Sequence, residues 1–305
     1  MKRQFRNLIL TMSICIQLNA RGEVVFEETS PYHHIRVSDQ QGMRTLMFDN
    51  SNESRISLAD PLLGHFEYTE YFHMPWLWND RIQSVLMIGL GGGTTALAWQ
   101  HYYTNVVFET VELDPKVVQV AKDYFHLQES PTLRIHNEDG RLFLRRSQKK
   151  YDVILLDAYT ISRYGSSIPY SLVTKEFFAV AQAHLTPNGV LAYNVIGSSH
   201  SDRENIVSAI YKTMASVFPQ VLHFPASASQ NVVLLATQSS QAPTLASLNT
   251  KFEELTGRGW RTLPSFKTRL QNFRATPPPA AAASRVLSDD FAPTDGMLST
   301  QKAEF

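Results

Sequence analysis

The 305-residue chain has a single cysteine, Cys15, which excludes a disulfide framework, a zinc knuckle and a Cys–Cys redox pair. It has no net charge either, with 28 Lys and Arg against 28 Asp and Glu. A surface without excess cations gains little by displacing counterions, so a nucleic-acid partner is not expected. No apolar run reaches the roughly 18 residues of a membrane-crossing helix. The one glycine-rich turn lacks the Lys-Ser/Thr of a phosphate loop, and no G-x-S-x-G elbow supports a hydrolase. His33, His34, His65 and His73 lack metal-ligand spacing and read as surface histidines, so no metal is expected. What remains, at 43% apolar and 18% charged residues, is an ordinary globular composition.

Four segments follow from the patterning. In residues 1–22, Lys2, Arg3 and Arg6 precede an apolar stretch that ends near Ala20. Those are the parts of a signal peptide, and the bland alternative is an N-terminal extension. Cleavage implies a periplasmic or secreted protein, retention a cytoplasmic one. Residues 23–80 open with VVFEETS, YHHIRVSD and MRTLMFDN, three alternating strands of an antiparallel β unit, followed by a helix over about residues 61–76. In residues 81–240, apolar strands such as VLMIG, YDVILLD and NVVLLAT alternate with amphipathic helices. That alternation means an α/β fold, a mostly parallel sheet covered on both faces. Residues 241–305 hold two helical stretches (245–255 and 265–274), a linker-like Pro/Ala run at 277–283, and the tail RVLSDDFAPTDGML.

Ligands of a doubly wound sheet sit beyond the carboxyl ends of its strands. Gly89, Gly91 and Gly93 close the first strand there and let backbone approach a ligand. Thr94 occupies the third glycine position of G-x-G-x-x-G, which argues against a dinucleotide. Glu112 ends the second strand, where a carboxylate accepts both hydroxyls of a ribose. Asp139 follows the third strand, placed to accept from an adenine amino group, and Asp157 ends the fourth. Any one of these acids reads equally well as a cap or turn residue. Three at successive strand ends point to an adenosyl ligand without phosphate.

These residues resemble the spermidine synthase family, the polyamine aminopropyltransferases. ETSPYHHIRV, FEYTEYFHMP, VLMIGLGGGTTA, TVELDPKVV, NEDGRLFL, YDVILLDAY and IPYSLVTKEFF follow in the family's order. The G-L-G-G-G turn and the run Asp289-Asp290-Phe291-Ala292-Pro293 are similar to a bacterial spermidine synthase-like subgroup. The resemblance implies a seven-stranded Rossmann-like domain of the S-adenosylmethionine methyltransferase type, a homodimer, and a place in polyamine biosynthesis. It implies that Gly89, Gly91, Gly93, Glu112, Asp139, Gly140 and Asp157 hold S-adenosylmethionine or its decarboxylated form. His33 stands where the family has a glutamine after Tyr32. Asp157, Tyr68 and Thr160 fall at catalytic positions. Tyr68, Glu70, Tyr159, Tyr164, Asp289 and Asp290 are candidates for an acidic, aromatic acceptor pocket, which would attract a cationic amine.

The departures are chemical. Gly92 replaces the aspartate of the family's G-G-G-D-G, which grips the donor's amine, and Thr160 replaces the aspartate that helps deprotonate the attacking amine. Thr69 replaces the gateway histidine. The expected function is alkylation of a small amine or polyamine-like acceptor, without ordinary putrescine aminopropylation. Alternatives are an S-adenosylmethionine-dependent methyltransferase and a non-catalytic polyamine- or nucleoside-binding protein.

Overall fold

Alternating polar and apolar residues shape the first part of the computed structural model, which describes residues 22–162 and 165–298. Glu23–Thr29 (β1), His34–Gln40 (β2), Met43–Phe48 (β3) and Ser51–Ser57 (β4) pair in sequence order as an antiparallel sheet. Ile35, Val37, Leu46, Phe48 and Ile56 cover one face and pack on Val117, Val120 and Phe125. Three strands were expected here. The fourth, SNESRIS, has one apolar residue, and pairing with β3 makes it a strand where propensity does not. The helix expected over residues 61–76 is instead a 3-10 segment, Glu67–Leu77. Its entry residue Phe66 supplies no side-chain cap, Pro75 removes a donor, and nine of its residues are buried, so no polar face marks a helical period.

From Ser84 the chain alternates as the apolar runs predict: Ser84–Ile88 (β5), Thr94–Tyr102 (α1), Val107–Glu112 (β6), Pro115–Tyr124 (α2), Leu133–Asn137 (β7), Gly140–Arg146 (α3) and Tyr151–Leu156 (β8). A short hairpin, Thr160–Ser162 (β9) and Gly165–Ser167 (β10), precedes Lys175–Ala183 (α4), Leu185–Ile196 (β11), Ile206–Ala215 (α5), Gln220–Pro225 (β12) and Asn231–Thr237 (β13). The seven-stranded sheet has the order β12-β13-β11-β8-β5-β6-β7, with β13 antiparallel to both neighbours. Alternation along the central strands divides the core. Val85, Met87, Val153 and Leu155 pack on one face; Leu86, Ile88, Ile154 and Leu156 pack on the other. Each such side chain, fully buried, contributes roughly 1.5–3 kcal/mol. The chain runs outward through β5, β6 and β7, then returns to β8 on the far side of β5. Strand order reverses there, so the carboxyl ends of β5 and β8 diverge into a crevice.

Leu245–Gly257 (α6) and Phe266–Leu270 (α7) follow, then a 3-10 turn, Pro279–Ala282, and Thr294–Leu298 (α8). The Pro/Ala run is no linker. Ala280, Ala281 and Leu287 are buried, and the Ser284 hydroxyl donates to Ser208 Oγ on α5 at 2.8 Å. Small side chains let this segment approach the helix closely. The expected signal peptide lies outside the described residues, among which no helix is long and apolar enough to cross a membrane.

Candidate active site

The crevice is set by one close approach. Gly89 has φ 95°, and a Cβ there would lie 2.2 Å from the Asp157 carbonyl oxygen, so only glycine lets the ends of β5 and β8 meet. Gly92 is confined for a different reason. A Cβ on it would sit 2.8 Å from the Phe125 ring and 2.9 Å from Ser54 Cβ, while its N–H donates to Ser54 Oγ at 2.9 Å. The N-terminal sheet thus closes directly over the turn.

A cavity of about 420 Å³ opens beside that turn. Glu112 faces it, its Oε2 accepting the Leu90 N–H at 3.0 Å and its Oε1 the Asp114 N–H at 2.9 Å. Burial pushes this carboxyl up to about 7 against those two bonds. Asp139 caps α3, accepting the Leu142 N–H at 2.8 Å, which holds its carboxylate at the cavity wall. Asp157 accepts from the Tyr68 hydroxyl at 3.1 Å and from Asn194 Nδ2 at 2.9 Å, and burial lifts it to about 6. Tyr68 is itself buried, and burial with the neighbouring Asp157 keeps its hydroxyl protonated. The Tyr159 hydroxyl donates to the Asn194 carbonyl at 2.9 Å.

Ten of the residues expected at the site share this cavity: Gly89, Gly91, Glu112, Asp139, Gly140, Asp157, His33, Tyr68, Tyr159 and Thr160. His33 is no surface residue. It is buried and stacked on Phe48 at 4.2 Å, and burial lowers its pKa. His73 is buried too, bonded to the Tyr103 hydroxyl at 2.9 Å and brought down to about 3 by burial.

Four expected residues serve elsewhere. Gly93 packs on Leu127 at the start of α1 and does not line the cavity. Glu70 is bonded to His65 at 3.0 Å and to Arg269; burial opposes its charge, yet these partners bring it down to about 2. Asp289 accepts two bonds from Arg141, at 2.8 and 2.6 Å, and one from the Thr174 hydroxyl at 2.7 Å, so it fastens the tail to α3 and α4. Neither it nor Asp290 lines the cavity. Tyr164 lies outside the described residues. The tail reaches the cavity through Thr294 and Asp295 instead, the latter accepting from the Ser167 hydroxyl at 2.7 Å. Asp295, Asn194, Ser54 and Glu53 escape sequence reasoning because none ends an apolar strand.

The seven-stranded sheet with its reversal of strand order defines the class of doubly wound, Rossmann-like α/β folds, and comparison with known proteins narrows it. The spermine/spermidine synthase domain model matches residues 65–240, over half of the 305 residues. The polyamine aminopropyltransferase of Vibrio vulnificus is 30% identical over 286 residues, covering 89% of this chain and 90% of the relative. An N-terminal histidine N-methyltransferase of Emericella nidulans is 35% identical over 247 residues, covering 71% of this chain and 42% of that one. A spermidine synthase solved in complex with the transition state analogue AdoDATO superposes with a TM-score of 0.57 at 18% identity, over 81% of this chain and 87% of that one. At that identity the likeness is one of fold. The chain belongs to the spermine/spermidine synthase family.

Proposed function

We propose that this protein alkylates a small amine with an adenosyl-sulfonium donor, decarboxylated S-adenosylmethionine or S-adenosylmethionine itself. One observation carries the reading: Glu112, Asp139 and Asp157 stand at successive strand ends along a single cavity, beside a glycine turn with no phosphate-binding lysine. Glu112 accepts the ribose hydroxyls, Asp139 the adenine amino group, and Asp157 with Tyr68 and Thr160 lies at the reacting end. The spermidine synthase that binds AdoDATO has this fold, which agrees with an adenosyl ligand here.

In the reaction, the amine nitrogen attacks a carbon bonded to the sulfonium. The N–C bond forms as the C–S bond breaks, and the electron pair leaves on sulfur as a neutral thioether. Alignment of the two partners supplies much of the rate. The attacking ammonium must first lose a proton, and Asp157, titrating near 6, takes it. Thr160 has no basic group and can only orient.

Calorimetric titration of the purified chain with both donors tests the proposal. Saturable binding of either supports it; binding of neither by folded protein overturns it and leaves a non-catalytic polyamine- or nucleoside-binding protein. The likeness to an N-terminal histidine N-methyltransferase, 35% identical over 71% of this chain, supports a second reading, methyl transfer from intact S-adenosylmethionine. Release of S-adenosylhomocysteine rather than 5′-methylthioadenosine identifies that case.

A further inference from the structure

β4 contains an irregularity. Its pairing with β3 runs Leu46 with Ser54 and then Met47 with Asn52, which leaves Glu53 as the extra residue of a β-bulge. Bulges re-aim side chains, and this one turns Glu53 into the wall between two cavities. The first is the cavity described above; the second, of about 340 Å³, includes Asn52, Asn194 and Asn231 in its lining. Glu53, Tyr68 and Tyr159 line both. Glu53 Oε1 is buried and has no hydrogen-bond partner. Burial, then the neighbouring Asp157, pushes this carboxyl up to about 7. Buried acceptors are ordinarily bonded, so one left open in a cavity wall offers a lone pair to a donor that enters the cavity.

We propose that Glu53 is a recognition carboxylate for a primary ammonium, seated with Asp157 where the two cavities meet. Two acids in a low-dielectric wall attract a cation, and the Tyr68 and Tyr159 rings add faces that favour one. The cation already in the second cavity's lining, Arg55, is committed elsewhere: its Nε donates to the Gly64 carbonyl at 2.7 Å, and its guanidinium lies 5.2 Å from the Phe66 ring. A metal ion suits the place poorly, since no group of three or more candidate ligands exists among the described residues. The chain thereby restores, from the N-terminal sheet, a negative charge that Gly92 does not supply. The inference rests on the amine-alkylation reading for the identity of its ligand, and the ammonium can belong to the donor's aminopropyl arm or to the acceptor.

Three probes titrated into the wild type and Glu53→Gln decide the matter: decarboxylated S-adenosylmethionine, putrescine, and 5′-methylthioadenosine, which carries the adenosyl group without an ammonium. Glu53→Gln should bind at least one of the two amines about ten- to a hundredfold more weakly, with 5′-methylthioadenosine unchanged. The amine that suffers identifies the source of the ammonium. Equal affinity of both proteins for both amines overturns the proposal, as does failure of both amines to bind the wild type. If 5′-methylthioadenosine binds neither protein, the adenosyl reading fails separately and putrescine still judges Glu53. Thermal scans confirm folding; should the glutamine variant not fold, Glu53→Met carries the same expectation.

Discussion

Among the described residues the protein treats two sets of acids in opposite ways, Glu53, Glu112 and Asp157 without a cation and Glu67, Glu70 and Asp289 each with an arginine. Glu112 and Asp157 accept hydrogen bonds from neutral donors, and no cation among the described residues pairs with them or with Glu53. Burial raises these carboxyls, Glu53 and Glu112 to about 7 and Asp157 to about 6. Glu67 and Glu70 stand on the adjoining 3-10 segment, and both reach Arg269, while Asp289 has Arg141. All three are held below the ordinary carboxylate range. An acid given an arginine holds elements together. A buried acid without one has its pKa raised instead.

That division can be broken first at Asp157. Asp157→Ala should lower turnover about a thousandfold, measured as thioether product, while thermal stability holds. Retained turnover would move Asp157 to the structural set. Glu112→Ala comes next: affinity for 5′-methylthioadenosine should fall about a hundredfold, read by calorimetry. For the paired set, Glu70→Ala should cost about 2 kcal/mol in urea unfolding, after allowance for partial exposure, and leave that affinity unchanged.

The smallest effect is a pH dependence whose sign differs between the sets. Glu53 and Glu112, titrating near 7 when folded, stabilise the fold fully below the ordinary glutamate range and lose that contribution as pH rises to about 7. Glu70, near 2, contributes above the ordinary range and loses its contribution as pH falls toward 2. The buried histidines titrate with the opposite sign and are common to both proteins, so the difference isolates Glu53: between pH 5 and pH 8 Glu53→Gln should lose less melting temperature than the wild type, by a few degrees. An equal slope in both proteins would mean that Glu53 is already ionised and solvated.

What was legible in the chain follows the same line. β5 and β8 announce themselves because a sheet buried on both faces demands unbroken apolar runs, and Asp157 is read from where β8 stops, Glu112 from the end of the more mixed β6. Glu53 gives no such signal. It lies in a polar strand, and a bulge breaks the period of two on which strand reading depends. Glu53 and Glu70 cannot be told apart by residue type; their partners separate them, His65 and, far along the chain, Arg269. The Pro/Ala run misleads for a related reason, since composition describes a linker but cannot say that α5 has room for it.

The packing around Gly92 decides what a substitution there would do. Phe125 is wholly buried and Ser54 nearly so, and together they occupy the place a side chain on residue 92 would take. Overpacking of this kind costs typically 1–3 kcal/mol. Gly92→Asp alone would therefore strain the turn instead of presenting a carboxylate to a ligand, and smaller side chains at positions 54 and 125 would have to accompany it.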